Sequence, residues 1–166
     1  MTDYFARLGA PVGEEESALV RRYVRALGID DELPVEVTHD WQRARSVTTH
    51  PEWDRRWWEA EQRERRRLYA HMLEVSPEEG VLKLLGNTLD SDGAVRDAAA
   101  RAAALASCTD AGLVRAAAGA ASESVYLAEL ARIAAEDAEH PFRLKQALFA
   151  GGRWPLGILA GRYWLF

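Results

Sequence analysis

Thr49–Val75 reads THPEWDRRWWEAEQRERRRLYAHMLEV. At about 100° per residue, Trp53, Trp57, Ala60, Leu68, Met72 and Val75 fall on one side of a helix. Thr49-His50-Pro51-Glu52 has the form of a capping box with proline in the first turn, and Ser76-Pro77-Glu78-Glu79 repeats it. Two such starts in succession predict one long helix between them, over residues 49–75. Its other side carries Arg55, Arg56, Arg63, Arg66 and Arg67 with Glu52, Glu59 and Glu74. Glu52→Arg56, Glu59→Arg63 and Glu61→Arg65 stand four apart in the favourable order, so that side reads as solvated and salt-bridged. Glu64 and His71 fall near the middle of the apolar side, with Glu61 at its edge. A carboxylate and an imidazole on a buried stripe need partners.

Upstream of this helix, residues 1–48 read as N-terminal helices and a connector. Val20, Tyr23, Val24 and Leu27 form an apolar stripe on a first helix from about Glu14, stopped by Gly28. Asp30 to Val37 is a connector holding Pro34. Thr38 is placed to cap a short second helix through about Val47. Downstream the helices read as short and alanine-rich. Leu82, Leu85 and Leu89 mark one that ends near Asp90. Ser91 or Asp92 caps the next, ending near Ser107. Thr109 or Asp110 caps a third, and Ser122 or Ser124 precedes a fourth. Pro141 opens a fifth, which Gly151-Gly152 terminates. Only PVEVT and RYWLF look strand-like.

The chain of 166 residues suits one domain with a sizeable core. Its net charge of −5 argues against dedicated nucleic-acid binding, which needs a basic surface. Cys108 is the single cysteine, so no intrachain disulfide forms, and a reducing cytoplasm fits. No basic n-region followed by an apolar run opens the chain, so no signal peptide is expected. The apolar stretch Ala147–Phe166 has spanning length. It also contains Arg153, Arg162, Pro155 and four glycines, which argues for a buried closing segment rather than a membrane span.

Asp92-Gly93-Ala94-Val95-Arg96, followed by alanines and Leu105 on one helix, resembles a HEAT repeat of the bacterial type. Val95-Arg96 recurs as Val125-Tyr126, thirty positions on, a spacing typical of helical repeats. The resemblance spans about residues 78–138. It implies a short stack of antiparallel helix pairs that presents a surface. The expected fold is therefore all-α: a single domain of antiparallel helices, partly HEAT-like, around one long central helix. Residues 76–139 form the HEAT-like part, and residues 140–166 a closing helix and an aromatic tail.

Glu64 and His71 are the candidate catalytic residues. With Glu136 and His140 from a facing helix they form the candidate set for a divalent metal. Glu129 shares the face of Glu136, but so does Arg132. Glu136 and His140 stand four apart, and the chain has no Glu-x-x-His of the ferritin-like diiron type. Trp53, Trp57, Trp58 and Tyr69, with Trp41, are candidate walls of a small-molecule pocket in which burial would raise a carboxyl pKa. His39-Asp40 reads as polar residues at a helix start, and His50 as part of a capping box. Signatures of nucleophilic catalysis, phosphate-cradling loops and zinc spacings are absent. The residues thus favour a non-enzymatic, cytoplasmic interaction or accessory module. Such a module needs no cofactor, binds a protein partner or itself through helix faces and the aromatic tail, and touches neither nucleic acid nor membrane. The alternative is a small helical enzyme or ligand-binding protein with a Trp-lined pocket around Glu64 and His71, with or without a divalent metal.

Overall fold

In the computed structural model, which describes residues 3–29, 32–75, 77–134 and 136–166, helices pack around a small three-stranded sheet. Helix α1 spans Glu14–Ala26, with three glutamates in its first turn. Glu16 reaches back to accept the Gly13 N–H at 3.0 Å. The chain leaves α1 through Gly28, at φ +76°. Strand β1 covers Val35–Val37. Helix α2 spans Trp41–Thr48, capped by Asp40, whose carboxylate accepts the Arg43 N–H at 2.7 Å. Asp40 thus does what was expected of Thr38. Then come α3 (Arg55–Val75), α4 (Pro77–Leu105), α5 (Ala111–Ile133), α6 (Pro141–Ala150), β2 (Pro155–Leu159) and β3 (Arg162–Leu165).

The long helix starts at Arg55, six residues after Thr49. Thr49 terminates α2 instead, its hydroxyl donating to the Arg45 carbonyl at 2.8 Å. His50 Nδ1 accepts the Glu52 N–H at 3.1 Å. Trp53 forms an isolated β-bridge with Leu159. The Asp54 N–H donates to the Ile158 carbonyl at 2.9 Å, and its carboxylate accepts the Arg56 N–H at 2.9 Å. The other capping residue, Ser76, lies outside the described residues, as do Asp30 and Asp31 of the connector.

Of the breaks expected inside residues 77–133, the one between Ser107 and Asp110 occurs, and those near Asp90–Asp92 and at Ser122–Ser124 do not. Asp92 pairs with Arg96 one turn on and accepts the Ser122 hydroxyl at 2.7 Å, so it joins two helices rather than starting one. The Thr88 hydroxyl returns to the Leu84 carbonyl at 2.8 Å, and that of Ser124 to the Ala121 carbonyl at 2.7 Å. Such back-bonding keeps polar residues inside a helix. Asp110 caps α5 by accepting the Leu113 N–H at 3.0 Å. The short turn Ala106–Asp110 and the Asp92–Ser122 contact make α4 and α5 one antiparallel hairpin.

The aromatic tail supplies two of the three strands; β1 and β3 fall on the strand-like stretches PVEVT and RYWLF, and β2 is the strand that sequence patterning did not anticipate. β3 lies between its neighbours, parallel to β1 (Val35 opposite Tyr163) and antiparallel to β2 (Ile158 opposite Tyr163). Ala160 and Gly161 join β2 to β3 with φ of +52° and +68°, the left-handed pair that matches hairpin twist. Every residue of β2 is buried. The tail is therefore a central piece of the core, neither a cap over a helical stack nor a free partner-binding segment. Arg153, 1% exposed, anchors it. All five of its N–H donors are used: two on Glu16, at 2.8 and 3.0 Å, and three on the carbonyls of Arg7, Ala10 and Pro11, at 2.6–2.7 Å.

Three apolar clusters make the core. One joins Phe5, α2, α4, α5 and the tail through Trp41, Val95, Ala117, Phe149, Trp154 and Phe166. A second joins α1, Trp57, α6 and the sheet through Val20, Tyr23, Leu148, Ile158 and Tyr163. A third joins α3, α4 and α5 through Leu68, Met72, Leu84, Leu127 and Leu130. No helix among the described residues is long and apolar enough to cross a membrane.

Gly157 marks the tightest approach between α3's leading segment and the sheet. It has φ +104°, and a Cβ there would lie 2.8 Å from Trp53 Nε1, which itself donates to the Leu156 carbonyl at 3.0 Å. Gly161 has φ +68° with nothing within 4 Å. Gly157→Ala is expected to destabilise by about 3 kcal/mol and Gly161→Ala by about 1 kcal/mol, since only the first adds a clash to the backbone strain. Urea unfolding measures both. Equal losses would show that Trp53 is not held against Gly157.

Candidate functional site

The inner side of α3 buries Trp57, Ala60, Glu61, Leu68 and Met72. Trp53 precedes the helix and Val75 is 53% exposed, so neither helps define that side. Without them the buried face turns away from Glu64 and His71 and towards Glu61. Glu61 is the carboxylate that is sealed, at 6% exposure. Lys145 of α6 donates to both of its oxygens, at 2.7 and 2.8 Å. Tyr23 of α1 donates its hydroxyl to Oε1, and the Trp57 indole N–H donates to that same hydroxyl at 2.8 Å. The Lys145 ammonium also lies 5.0 Å from the centroid of the Trp57 ring.

Tyr163 of β3 closes the cluster edge-on to Tyr23, with ring centroids 6.1 Å apart. Its buried hydroxyl closes no hydrogen bond of normal geometry, though it lies near enough to Tyr23 for the two phenols to influence each other's ionisation. Burial, reinforced by the Glu61 charge, pushes both phenols well above their ordinary value. Both are therefore neutral at physiological pH, and Tyr23 serves as a donor to Glu61. Each Glu61 oxygen already has a protein partner, and the group has no open side for a substrate. Glu61 was legible only as an edge position. Lys145 and Tyr23 were not singled out, yet each sits on an apolar stripe. Lys145 lies between Phe142 and Phe149, and Tyr23 between Val20 and Val24.

Glu64, Glu136 and His140 do come together, and Arg67 stands among them. His140 Nε2 lies 2.8 Å from Glu64 Oε1. Arg67 donates to Glu64 at 2.7 and 3.0 Å and to Glu136 at 3.0 Å. Glu129 is held by Arg132. His71 is not part of this group. It faces Glu74 at 4.0 Å, with its side chain 40% exposed. No group of three or more His, Cys, Asp or Glu among the described residues is disposed to hold a metal ion. An arginine occupies the position a cation would need, so this group is a structural tie between α3 and the start of α6.

The four aromatic candidates do not line one pocket. Trp53 and Trp57 pack edge to face, 5.2 Å between centroids, at the sheet. Trp58 and Tyr69 turn outward instead, 50% and 39% exposed. Tyr69 meets the Tyr126 hydroxyl at 3.4 Å, and Tyr126 is pushed up to about 12, mainly by burial. A groove of about 820 Å³ lies elsewhere, between α2 and the α4–α5 turn, with Trp41, Arg45, Cys108 and Phe166 in its walls. On α3's solvent side Trp58, Gln62, Arg66, Tyr69 and Leu73 follow one another at helical spacing. Trp58, Glu59, Gln62, Arg63 and Arg66 line a shallow depression of about 330 Å³ there. Of the expected i,i+4 pairs, Glu61 goes to Lys145 and Arg65 to Glu123 instead.

His140 caps α6, its Nδ1 accepting the Phe142 N–H at 3.3 Å. That bond and the Nε2–Glu64 contact define a neutral imidazole protonated on Nε2. Burial holds its pKa below the ordinary histidine value, despite Glu64 and Glu136 nearby. The unfolded chain therefore takes up a proton first as pH falls below about 6.5, and stability declines from there. Burial tends to raise the Glu64 pKa, but Arg67 and His140 outweigh it and hold the carboxyl below its usual range. Its contribution is full above the ordinary carboxylate pKa and is lost as pH falls through the lowered value, a second and more acidic step. His140→Asn keeps a capping acceptor and removes the titration. Urea midpoints between pH 7 and 5 should fall in the natural protein and flatten in this variant. Parallel slopes would contradict the neutral, buried His140. Compared with protein families, curated proteins and solved structures, the chain matches none of them.

Proposed function

We propose that the protein is a non-enzymatic interaction module that binds another protein through a helix face. The observation that carries this reading is the solvent side of α3. Trp58, Tyr69 and Leu73 are 50%, 39% and 45% exposed on one stripe. Leu82, at the start of α4, is 71% exposed. Large apolar and aromatic side chains interleaved with arginine are the residue types that dominate binding energy at protein interfaces. The α4–α5 hairpin, which contains the HEAT-like segment, supports a scaffold that displays surface rather than one that encloses a substrate. The half-buried thiol of Cys108 suits a reducing, cytoplasmic setting. The enzyme reading has less support, because the carboxylate on α3's inner side is filled by Lys145 and Tyr23.

A photo-crosslinking residue at Gln62, in the cells that make the protein, tests this reading. A discrete protein adduct is expected there and not at Arg21, an exposed position on α1. Trp58→Ala combined with Leu73→Asp should abolish it. No adduct at Gln62, or one indifferent to those substitutions, would sink the module.

A further inference from the structure

Resting on the reading of α3 as a contact face, we infer that its occupant is an acidic amphipathic helix of a partner protein. The chain as a whole carries a net charge of −5, yet this face carries Arg55, Arg63 and Arg66 against Glu59 and Glu74, a small local excess of positive charge. Two other arginines of α3 are tied down: Arg65 by Glu123, and Arg67 by Glu64 and Glu136. Arg56 is held by Asp54. Arg55, Arg63 and Arg66 make no ion pair among the described residues, so their charge is available to a partner. Arg63 and Arg66 lie between Trp58 at one end and Tyr69 and Leu73 at the other. From Trp58 to Leu73 the stripe runs about 22 Å, the length of four helical turns.

The form of the partner follows from the backbone. α3 offers no free N–H or C=O along its side, so an extended peptide would leave its own main chain unpaired. A helix satisfies its own backbone. It can set apolar residues at i, i+3, i+4 and i+7 against Trp58, Tyr69 and Leu73 while flanking carboxylates reach Arg63 and Arg66. A second copy of this chain fits poorly. A two-fold pairing that brings Trp58 to Leu73 places Arg66 against its own copy across the axis. A nucleic acid would match the arginines but leave Leu73 and Tyr69 without apolar contact, and the rest of the chain would repel it.

Selection from a displayed library of random 16-residue peptides, with the full-length protein as bait, tests the inference. Enriched peptides should carry Leu, Ile or Phe at i, i+3, i+4 and i+7, flanked by Glu and Asp. The tightest should bind about tenfold more weakly to Arg63→Glu/Arg66→Glu, and should weaken with added salt. Both substitutions are at exposed positions, and circular dichroism checks that the variant folds. Basic or uncharged winners, or acidic ones indifferent to the charge reversal, would overturn the inference. So would a dimer that Leu73→Asp dissociates, or duplex DNA that displaces the selected peptides. An adduct at Gln62 to a non-acidic segment would defeat this inference and leave the module standing. No adduct and no acidic enrichment would defeat both.

Discussion

Glu61 and Lys145 are a charge pair buried where four elements meet. Lys145 comes from α6, Glu61 from α3, Tyr23 from α1 and Tyr163 from β3. Removing two charges from water costs several kcal/mol, and the attraction between them offsets that only when every donor and acceptor is placed. Here Lys145 contacts both carboxylate oxygens, Tyr23 adds a third bond and Trp57 orients Tyr23. Such a group has little tolerance for displacement. It therefore sets the rotation of α3 about its own axis. With Glu61 turned inward, Trp58, Arg66 and Leu73 must turn outward, so the buried pair and the exposed stripe are two consequences of one helix orientation.

Arg153 plays the corresponding part for the sheet. Its five donors gather Glu16 and three carbonyls of the segment before α1. Burial favours the neutral form of Glu16, and Arg153 outweighs it and holds the carboxylate ionised. The bond network joins the start of α1 to the strand hairpin and so fixes the wall against which Tyr23 and Tyr163 pack. The two arrangements differ in kind. Glu61–Lys145 is one pair that orients a helix, whereas Arg153 gathers backbone carbonyls of the segment before α1.

Helical content, the positions of α1 and α6, and the burial of the tail were legible because they rest on local signals. Glu14–Glu16 and Gly28 bracket one helix, and Pro141 and Gly151 the other. The start of α3 was misread because the hydroxyl of Thr49 had two claimants, its own N–H groups ahead and the Arg45 carbonyl behind, and the second won. Ser91, Asp92, Ser122 and Ser124 look like caps in a sequence. Within α4 and α5, Asp92 and Ser122 bond across the hairpin and Ser124 returns to its own helix. PVEVT and RYWLF did mark β1 and β3, but β2 and its hairpin to β3 escaped notice because β2 is buried throughout and so shows no alternation, and because Ala160 supplies a left-handed turn residue where glycine or asparagine would announce one. The candidate site moved by three residues, from Glu64 to Glu61, once Trp53 left the helix and ceased to define its inner side.

The central claim is that the Glu61–Lys145 pair is a structural tie whose members need each other. The most direct measurement is the unfolding free energy of Lys145→Met, Glu61→Leu and the double variant, by urea titration at neutral pH. The account predicts that Lys145→Met loses about 3–5 kcal/mol, because it leaves an uncompensated buried carboxylate. It predicts that adding Glu61→Leu restores much of that loss. A Lys145→Met protein within about 1 kcal/mol of the natural one, or a double variant no more stable than Lys145→Met alone, would contradict it.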